Sequence, residues 1–271
     1  MYEGFFGMER TPFTKDMPTE ELFESCTYRE VLDSLIYTAQ KKGFAVITGD
    51  PGCGKSTLIR KFAAELPKEQ YLLLYLSDSK LTPRWFYDGL LSQLGLRGKI
   101  NRGESKKMLQ EKLAAIHEIQ GFTTVIVLDE AHLLDREMLE EFRFMLNSQF
   151  DSRSPMALVL AGQTELLTAK LNRDPYTAIC QRVDVFKSLP HLDRADTERY
   201  VRRHLEYSGC QGEIFTQAAL DEIYRTSSGI PRMINRVCEK NLMYACQQKC
   251  RLIDDHMIRF VVENEFPGGV V

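Results

Sequence analysis

The sequence predicts an α/β fold followed by an all-helical region, and three observations carry that expectation. Short apolar, β-rich runs alternate with helical patterns through the first part of the 271-residue chain. The alternation stops after VDVFKSLP, and only helical patterns follow. Directly behind the first apolar run, FAVIT, comes GDPGCGKST (Gly49 to Thr57), which fits the phosphate-binding pattern G-x-x-x-x-G-K-[ST]. Strands that alternate with helices at this spacing form a parallel sheet with crossover helices on both faces.

Taken in order, FAVITG is the first strand and a helix follows from Lys55. YLLLYLS precedes the helix PRWFYDGLLSQLG, TTVIVLDE precedes DREMLEEFRFMLNSQF, and MALVLAG precedes ELLTAKL. Beyond VDVFKSLP, helices are expected in ADTERYVRRHLEYSG, TQAALDEIYRTSSG, PRMINRVCEKNLMYACQQK and DDHMIRFVVENE. Gly229 followed by Pro231 ends one of these helices and starts the next. The expected boundary lies near Pro190, between an α/β nucleotide-binding core over residues 1–190 and a helical lid over 191–271. No internal repeat is visible.

An apolar content of 44% suits one substantial core with a small satellite domain. Apolar stretches such as YLLLYL fall far short of the roughly 20 residues of a membrane helix, and MYEGFFGMER lacks the layout of a signal peptide. A cytoplasmic protein with no membrane segment is therefore expected. The seven cysteines show no C-x-x-C or paired His/Cys spacing and read as free thiols, with Cys238, Cys246 and Cys250 as small buried residues of a helix. A net charge of -3 excludes any global attraction to nucleic acid, so such binding needs a local basic patch or an assembled surface.

The chemistry begins in the glycine-rich loop. Gly49, Gly52 and Gly54 let the backbone wrap closely around phosphates, with Asp50, Pro51, Cys53 and Thr57 completing the cradle. Lys55 reaches the β/γ-phosphates and Ser56 ligates a metal, so ATP and Mg²⁺ are the expected cofactors. VIVLDEAH is an apolar strand closed by Asp129 and Glu130, which places one carboxylate on the Mg²⁺ shell and the next beside the attacking water. MALVLAGQTEL ends in Gln163, whose amide suits a position between that water and the γ-phosphate. Arg182, just before the last predicted strand, is a candidate arginine finger for a neighbouring subunit, with Arg173 as its rival. Arg232 opens a lid helix and is a candidate for the phosphates of its own subunit, while His132 reads as a hydrogen-bonded orienter and not as a base.

GDPGCGKST, VIVLDEAH, LAGQTEL, QRV and SGIPRMIN, in this order, resemble the AAA+ ATPases, and within them the branch of the ExeA-type secretion ATPases and the TnsC- and TniB-type transposition regulators. FFGMERTPF followed by SCTYREVLDSL is similar to the ExeA-type opening, so the resemblance spans nearly the whole chain. It implies a P-loop AAA+ core with a five-stranded parallel sheet, a C-terminal helical lid, ATP at subunit boundaries, and a homo-oligomer in the form of a ring or helical filament. It also makes Phe13, after Pro12, a candidate for lining the adenine pocket, although such a pair serves core packing as easily. ExeA-type proteins carry a membrane span and a wall-binding region after the ATPase, and the chain ends at ENEFPGGVV with neither. The expectation that follows is a compact ATPase of the transposition type.

LRGKINRGESKK is the expected DNA contact. There Arg97, Lys99, Arg102, Lys106 and Lys107 face a single acid, Glu104, and Gly98 and Gly103 mark a loop. A flexible basic loop follows phosphates without reading bases, and an assembly that repeats it adds its weak charges together. In an isolated protein the same stretch reads as a solvated surface loop. The expected function is an ATP-dependent DNA transposition regulator that binds double-stranded DNA without sequence preference and recruits or activates a transposase. The alternatives are a secretion or other protein-remodelling ATPase that does not act on DNA, and a nucleotide-switched scaffold.

Overall fold

A computed structural model describes residues 2–77, 81–145, 156–171, 176–210 and 212–266. In chain order the elements are α1 (Tyr2–Phe6), α2 (Cys26–Lys41), β1 (Phe44–Thr48), α3 (Lys55–Glu65), β2 (Tyr71–Leu76), α4 (Pro83–Gln93), α5 (Arg102–Gln120) and β3 (Thr123–Leu128). They continue with a 3-10 turn (Ala131–Leu133), α6 (Arg136–Met145), β4 (Met156–Gly162), a π-helical segment (Leu166–Leu171), α7 (Thr177–Cys180), β5 (Val185–Ser188), α8 (Arg194–Tyr207), α9 (Gln217–Ser227), α10 (Pro231–Gln247) and α11 (Asp255–Glu265). Contacts divide the chain into two compact units, Tyr28–Pro51 with Lys55–Leu189, and Met1–Thr27 with Gly52–Gly54 and Pro190–Val271. The division falls after Leu189, but residues 1–27 group with the helices and not with the α/β unit in which the sequence places them. The reason is burial, because Tyr2, Met8 and Phe13 pack into the same core as Val201, Ile234 and Leu242.

In the α/β unit the five strands form one parallel sheet in the order β2-β3-β4-β1-β5. A single row of partners, Leu76, Leu128, Leu160, Val46 and Phe186, crosses all five strands. The interior strands β1 and β4 are buried along their whole length, whereas the edge strands β2 and β5 are partly exposed. Burial on both faces makes an interior strand read as an unbroken apolar run, which is why FAVIT and MALVLAG stand out. The core includes Phe86, Tyr87 and Leu90 of α4 together with Phe142 of α6. Among the described residues no helix is long and apolar enough to cross a membrane.

One sequence expectation is corrected here. LRGKINRGESKK is not a continuous loop, because α5 starts at Arg102 and carries Lys106 and Lys107. Asn101 caps it, its side chain accepting the Gly103 N–H at 2.8 Å, and Leu109, Leu113 and Ile116 bury one face at helical spacing. Gly103 lowers helix propensity, but it lies in the first turn, where the cap offsets the cost.

The helical unit is built from capped helices. Asp193 accepts the Asp196 N–H at the head of α8, Thr216 that of Ala219 at α9, and Asp254 that of Met257 at α11. Between α9 and α10 the chain passes through Gly229 at φ 72, where an added Cβ would lie 1.9 Å from the Leu192 carbonyl oxygen. Only glycine fits there. Near the centre of this unit, His204 of α8 is 3% exposed and accepts the Phe13 N–H on Nδ1 at 3.1 Å. The Phe13 ring stacks on the imidazole at 5.0 Å and the Tyr200 ring lies at 4.5 Å. Burial, with the Arg203 charge adding to it, lowers the His204 pKa from 6.5 to about 4.

The unfolded chain therefore binds more protons than the folded chain between pH 6.5 and about 4. The stability contributed by neutral His204 is fully present above pH 6.5 and is lost as the pH falls through this window, with an upper limit of about 3 kcal/mol. Denaturant midpoints measured across it should fall more steeply for the natural chain than for His204→Gln. Parallel slopes for the two proteins would contradict the assignment.

Candidate nucleotide site

In a parallel sheet the loops that leave adjacent strands gather at the carboxyl ends, where ligands bind. The glycine-rich loop leaves β1, Asp129 follows β3 and Gln163 follows β4, and these three strands are neighbours. Gly49 is required by packing, since a Cβ there would lie 2.8 Å from the Leu189 carbonyl oxygen. Gly52 and Gly54 sit at φ 92 and 95, and nothing lies within 4 Å of a Cβ built on Gly54. Lys55 opens α3 and is only 8% exposed, its ammonium donating to the Gly49 and Asp50 carbonyl oxygens at 2.7 and 3.1 Å. Asp50 in turn accepts the Thr164 hydroxyl at 3.0 Å, tying the loop to the exit of β4. Cys53 is buried, Pro51 is exposed, and Thr57 is half-buried on α3. The cradle thus combines a fixed ammonium with a helix N-terminus, both of which favour anions.

Asp129, 5% exposed at the end of β3, has both oxygens engaged. Oδ2 accepts the Ser56 hydroxyl at 2.9 Å and the Tyr75 hydroxyl at 3.0 Å, and Oδ1 accepts the Glu130 N–H at 2.9 Å. A serine hydroxyl against one carboxylate is a hard-oxygen pair that suits Mg²⁺, which takes one or two such groups and leaves its other positions to phosphates and water. Among the described residues no group of three or more His, Cys, Asp or Glu gathers to hold a metal. Glu130 adopts the left-handed conformation, φ 54 and ψ 30, which costs a non-glycine residue free energy and is characteristic of functional turns.

His132, in the turn after Glu130, has Nδ1 at 3.4 Å from both Glu130 Oε2 and the Gln163 backbone nitrogen. One ring nitrogen serves these partners in turn: its lone pair accepts the Gln163 N–H, whereas an Nδ1–H faces the carboxylate. Gln163 is engaged here through its backbone. Arg182 lies half-buried in the turn between α7 and β5, its amide donating to the Ile179 carbonyl oxygen at 2.9 Å. Its rival Arg173 lies outside the described residues. In the helical unit Arg232 is the second residue of α10, and its amide donates to the Gly52 carbonyl oxygen at 3.3 Å.

Three residues escaped the sequence reading. Tyr75 of β2 holds Asp129, and its hydroxyl pKa is pushed up to about 12, first by burial and then by the Asp129 charge. Gln93 at the end of α4 brackets the Tyr75 backbone, taking its N–H at 3.1 Å and giving to its carbonyl oxygen at 3.0 Å. Lys170, in the π-helical segment, donates to the His132 and Leu134 carbonyl oxygens and so clamps the turn that follows Glu130. Burial lowers its pKa, against the opposing pull of Asp135 and Glu165. A mid-strand Tyr, a helix-end Gln and a Lys in ELLTAKL carry no motif, so only their tertiary partners reveal them.

The basic stretch is less cationic than LRGKINRGESKK suggests. Arg102 pairs with Glu137 and, at 3.6 Å, with Glu141, and Lys106 pairs with Glu141. Glu141 is buried on α6 and also accepts the Tyr87 hydroxyl. Burial alone would raise its pKa, but the hydrogen bonds from Lys106 and Tyr87 outweigh that and hold it below the usual carboxylate range. Lys107 pairs loosely with Glu111 at 3.8 Å, and Arg97 and Lys99 are exposed ahead of α5.

The sheet order and the phosphate loop define a P-loop AAA+ fold, and residues 38–169 match the AAA domain family. The general secretion pathway protein A of Aeromonas hydrophila is 32% identical over 249 residues, which covers 90% of this chain. The chain spans only 45% of that protein. Among solved structures, the ORC2 protein of Aeropyrum pernix in its ADPNP–ADP complexes superposes with a TM-score of 0.70 at 12% identity, over 96% of this chain and 72% of the other. Drosophila ORC bound to DNA gives 0.64 at 18%, over 96% and 64%. At such identities the two structures establish the fold.

Replacing Lys55 with Ala removes the ammonium aimed along the cradle. Titration of a fluorescent ATP analogue should then show affinity at least about 100-fold weaker than in the natural chain. Equal affinities would remove the basis for a phosphate site at this loop.

Proposed function

We propose that this chain is a Mg²⁺-dependent ATPase whose ATP-loaded form assembles as a homo-oligomer on duplex DNA and there engages a transposase. The observation that carries the catalytic part is the 2.9 Å bond between Ser56 and Asp129, with Glu130 next in the chain in a left-handed turn. Lys55 and the N-terminus of α3 bind and orient the β- and γ-phosphates. Ser56 and Asp129 would hold Mg²⁺, which supplies charge neutralisation for the phosphate oxygens when bound. Glu130 takes up the proton of the attacking water, with Gln163 beside it. Arg232 serves the phosphates of its own subunit and Arg182, or Arg173, those of a neighbour, where such a finger is typically worth about 10³- to 10⁵-fold in rate. Phe13 is the candidate for the adenine pocket.

DNA binding is supported by the exposed Arg97 and Lys99 ahead of α5 and by the likeness to an ORC structure bound to DNA. A transposase partner is supported by the resemblance of the motif order to the TnsC and TniB type. The 32% identity to a general secretion pathway protein favours a second reading, an ATPase that remodels a protein partner without DNA. Location in the cytoplasm belongs to the first of these readings.

Turnover with and without duplexes of unrelated sequence separates the two. DNA action predicts ATP-dependent binding of all duplexes alike, weakening by about 0.9 log units per phosphate contact for each tenfold rise in salt, and a shallower slope when Lys99 and Arg97 are both replaced. Absence of ATP-dependent duplex binding at low salt would leave the protein-partner ATPase as the better account.

In either case Glu130→Gln should keep nucleotide affinity and lose at least about 100-fold in kcat, because only water activation is removed. Substantial turnover by this variant would indicate the nucleotide-switched scaffold. Mixing Arg182→Ala with Lys55→Ala subunits tests the shared site. The first keeps an intact pocket and the second can donate the finger, so partial recovery of activity is expected; no recovery in confirmed mixed oligomers would count against Arg182.

A further inference from the structure

We infer that Tyr75 is a positioning residue for the metal-holding pair Ser56 and Asp129, and that Gln93 fixes Tyr75 for this task; the inference rests on the Mg²⁺–nucleotide site proposed above. Among the described residues β2 is an edge strand that pairs with β3, where Tyr75 stands opposite Val127. On its open side the missing neighbour is replaced at this one residue by the Gln93 amide, which satisfies both the N–H and the carbonyl oxygen of Tyr75. Gln93 thus holds the Tyr75 backbone on the open side while the next residue, Leu76, bonds toward β3 through its carbonyl oxygen, and the direction of the Tyr75 side chain is set. The phenol is aimed at the Asp129 carboxylate, with the hydroxyl 3.0 Å from Oδ2.

The consequence lies in how the carboxylate is fixed. Oδ1 is tied to the Glu130 N–H, so the remaining freedom of the group is rotation that carries Oδ2 away from Ser56. Ser56 restrains Oδ2 while its hydroxyl points there, but a hydroxyl that turns to a metal no longer does so. The Tyr75 bond is independent of Ser56 and keeps the oxygen facing the same place. Packing does not account for the hydroxyl, because Tyr75 is 37% exposed on an edge strand and a phenylalanine would satisfy the same contacts. A bond from the Tyr75 hydroxyl to an ionised carboxylate is of the stronger, charge-assisted kind.

Tyr75→Phe removes this bond, together with the one that the Ser77 side chain gives to the same hydroxyl, and leaves the ring in place. Mn²⁺ titrated in the presence of ADP and followed by electron paramagnetic resonance should bind about 10-fold more weakly to the variant. ADP affinity in EDTA should stay that of the natural chain, and the thermal midpoint should fall by no more than about a few degrees, as expected for the loss of these hydrogen bonds. Gln93→Ala should weaken Mn²⁺ in the same direction by a smaller factor. Unchanged Mn²⁺ affinity in Tyr75→Phe, or an equal loss of ADP affinity in EDTA, would overturn the inference while leaving the nucleotide site standing. A natural chain that binds no Mn²⁺–ADP at all would overturn both.

Discussion

The hydroxyl of Ser56 meets the carboxylate of Asp129, 73 residues further along the chain, because β1 and β3 run parallel on either side of β4. Everything else at the site follows from that register. The row Leu128, Leu160 and Val46 brings the three strands to a common level, so Asp129, Gln163 and Gly49 leave the sheet on the same side and within reach of one another. A parallel sheet is stable only when both faces are covered, and the apolar runs that provide this cover are what lock the register. The core therefore supplies more than stability, since a slip by one residue would separate the hydroxyl from the carboxylate.

On that frame the site is held by bonds that cross between loops. Thr164 ties Asp50 to the exit of β4, Lys170 fastens the turn behind Glu130, and His132 stands between Glu130 and Gln163. These ties give a physical reason for the left-handed backbone at Glu130, a conformation that persists only where the surroundings enforce it. They also connect the residue expected beside the water to the segment after β4, so a displacement of that segment would be felt at Glu130.

The fold was legible because its signals are local. Buried parallel strands are apolar over their whole length, the phosphate loop needs its glycines and lysine at fixed spacing, and Gly229 with Pro231 marks a helix junction that the structure reproduces. What stayed hidden depends on partners distant in sequence. Residues 1–27 look like a preface to the first strand, yet the burial of Tyr2, Met8 and Phe13 assigns them to the helical unit. Tyr75, Gln93 and Lys170 acquire meaning only from the atoms they face. Counting charges within LRGKINRGESKK found one acid, whereas Glu137 and Glu141 approach from α6 and Asn101 turns half of the stretch into a helix.

That last difference reorders the cations. A carboxylate as buried as Glu141 is tolerated because Lys106, Arg102 and Tyr87 all serve it, and removing one partner from such a group costs far more than an exposed ion pair is worth. Lys106 is thereby a structural cation joining α5 to α6, and Arg102 is shared between this task and the surface. Arg97 and Lys99, ahead of the helix, and Lys107, on its exposed face, are the members of the original set whose charge is least committed to the buried acid. Within LRGKINRGESKK a phosphate-tracking surface rests first on those three, and a loss of binding on replacing Lys106 would report on the packing of α5 and α6 before it reported on DNA.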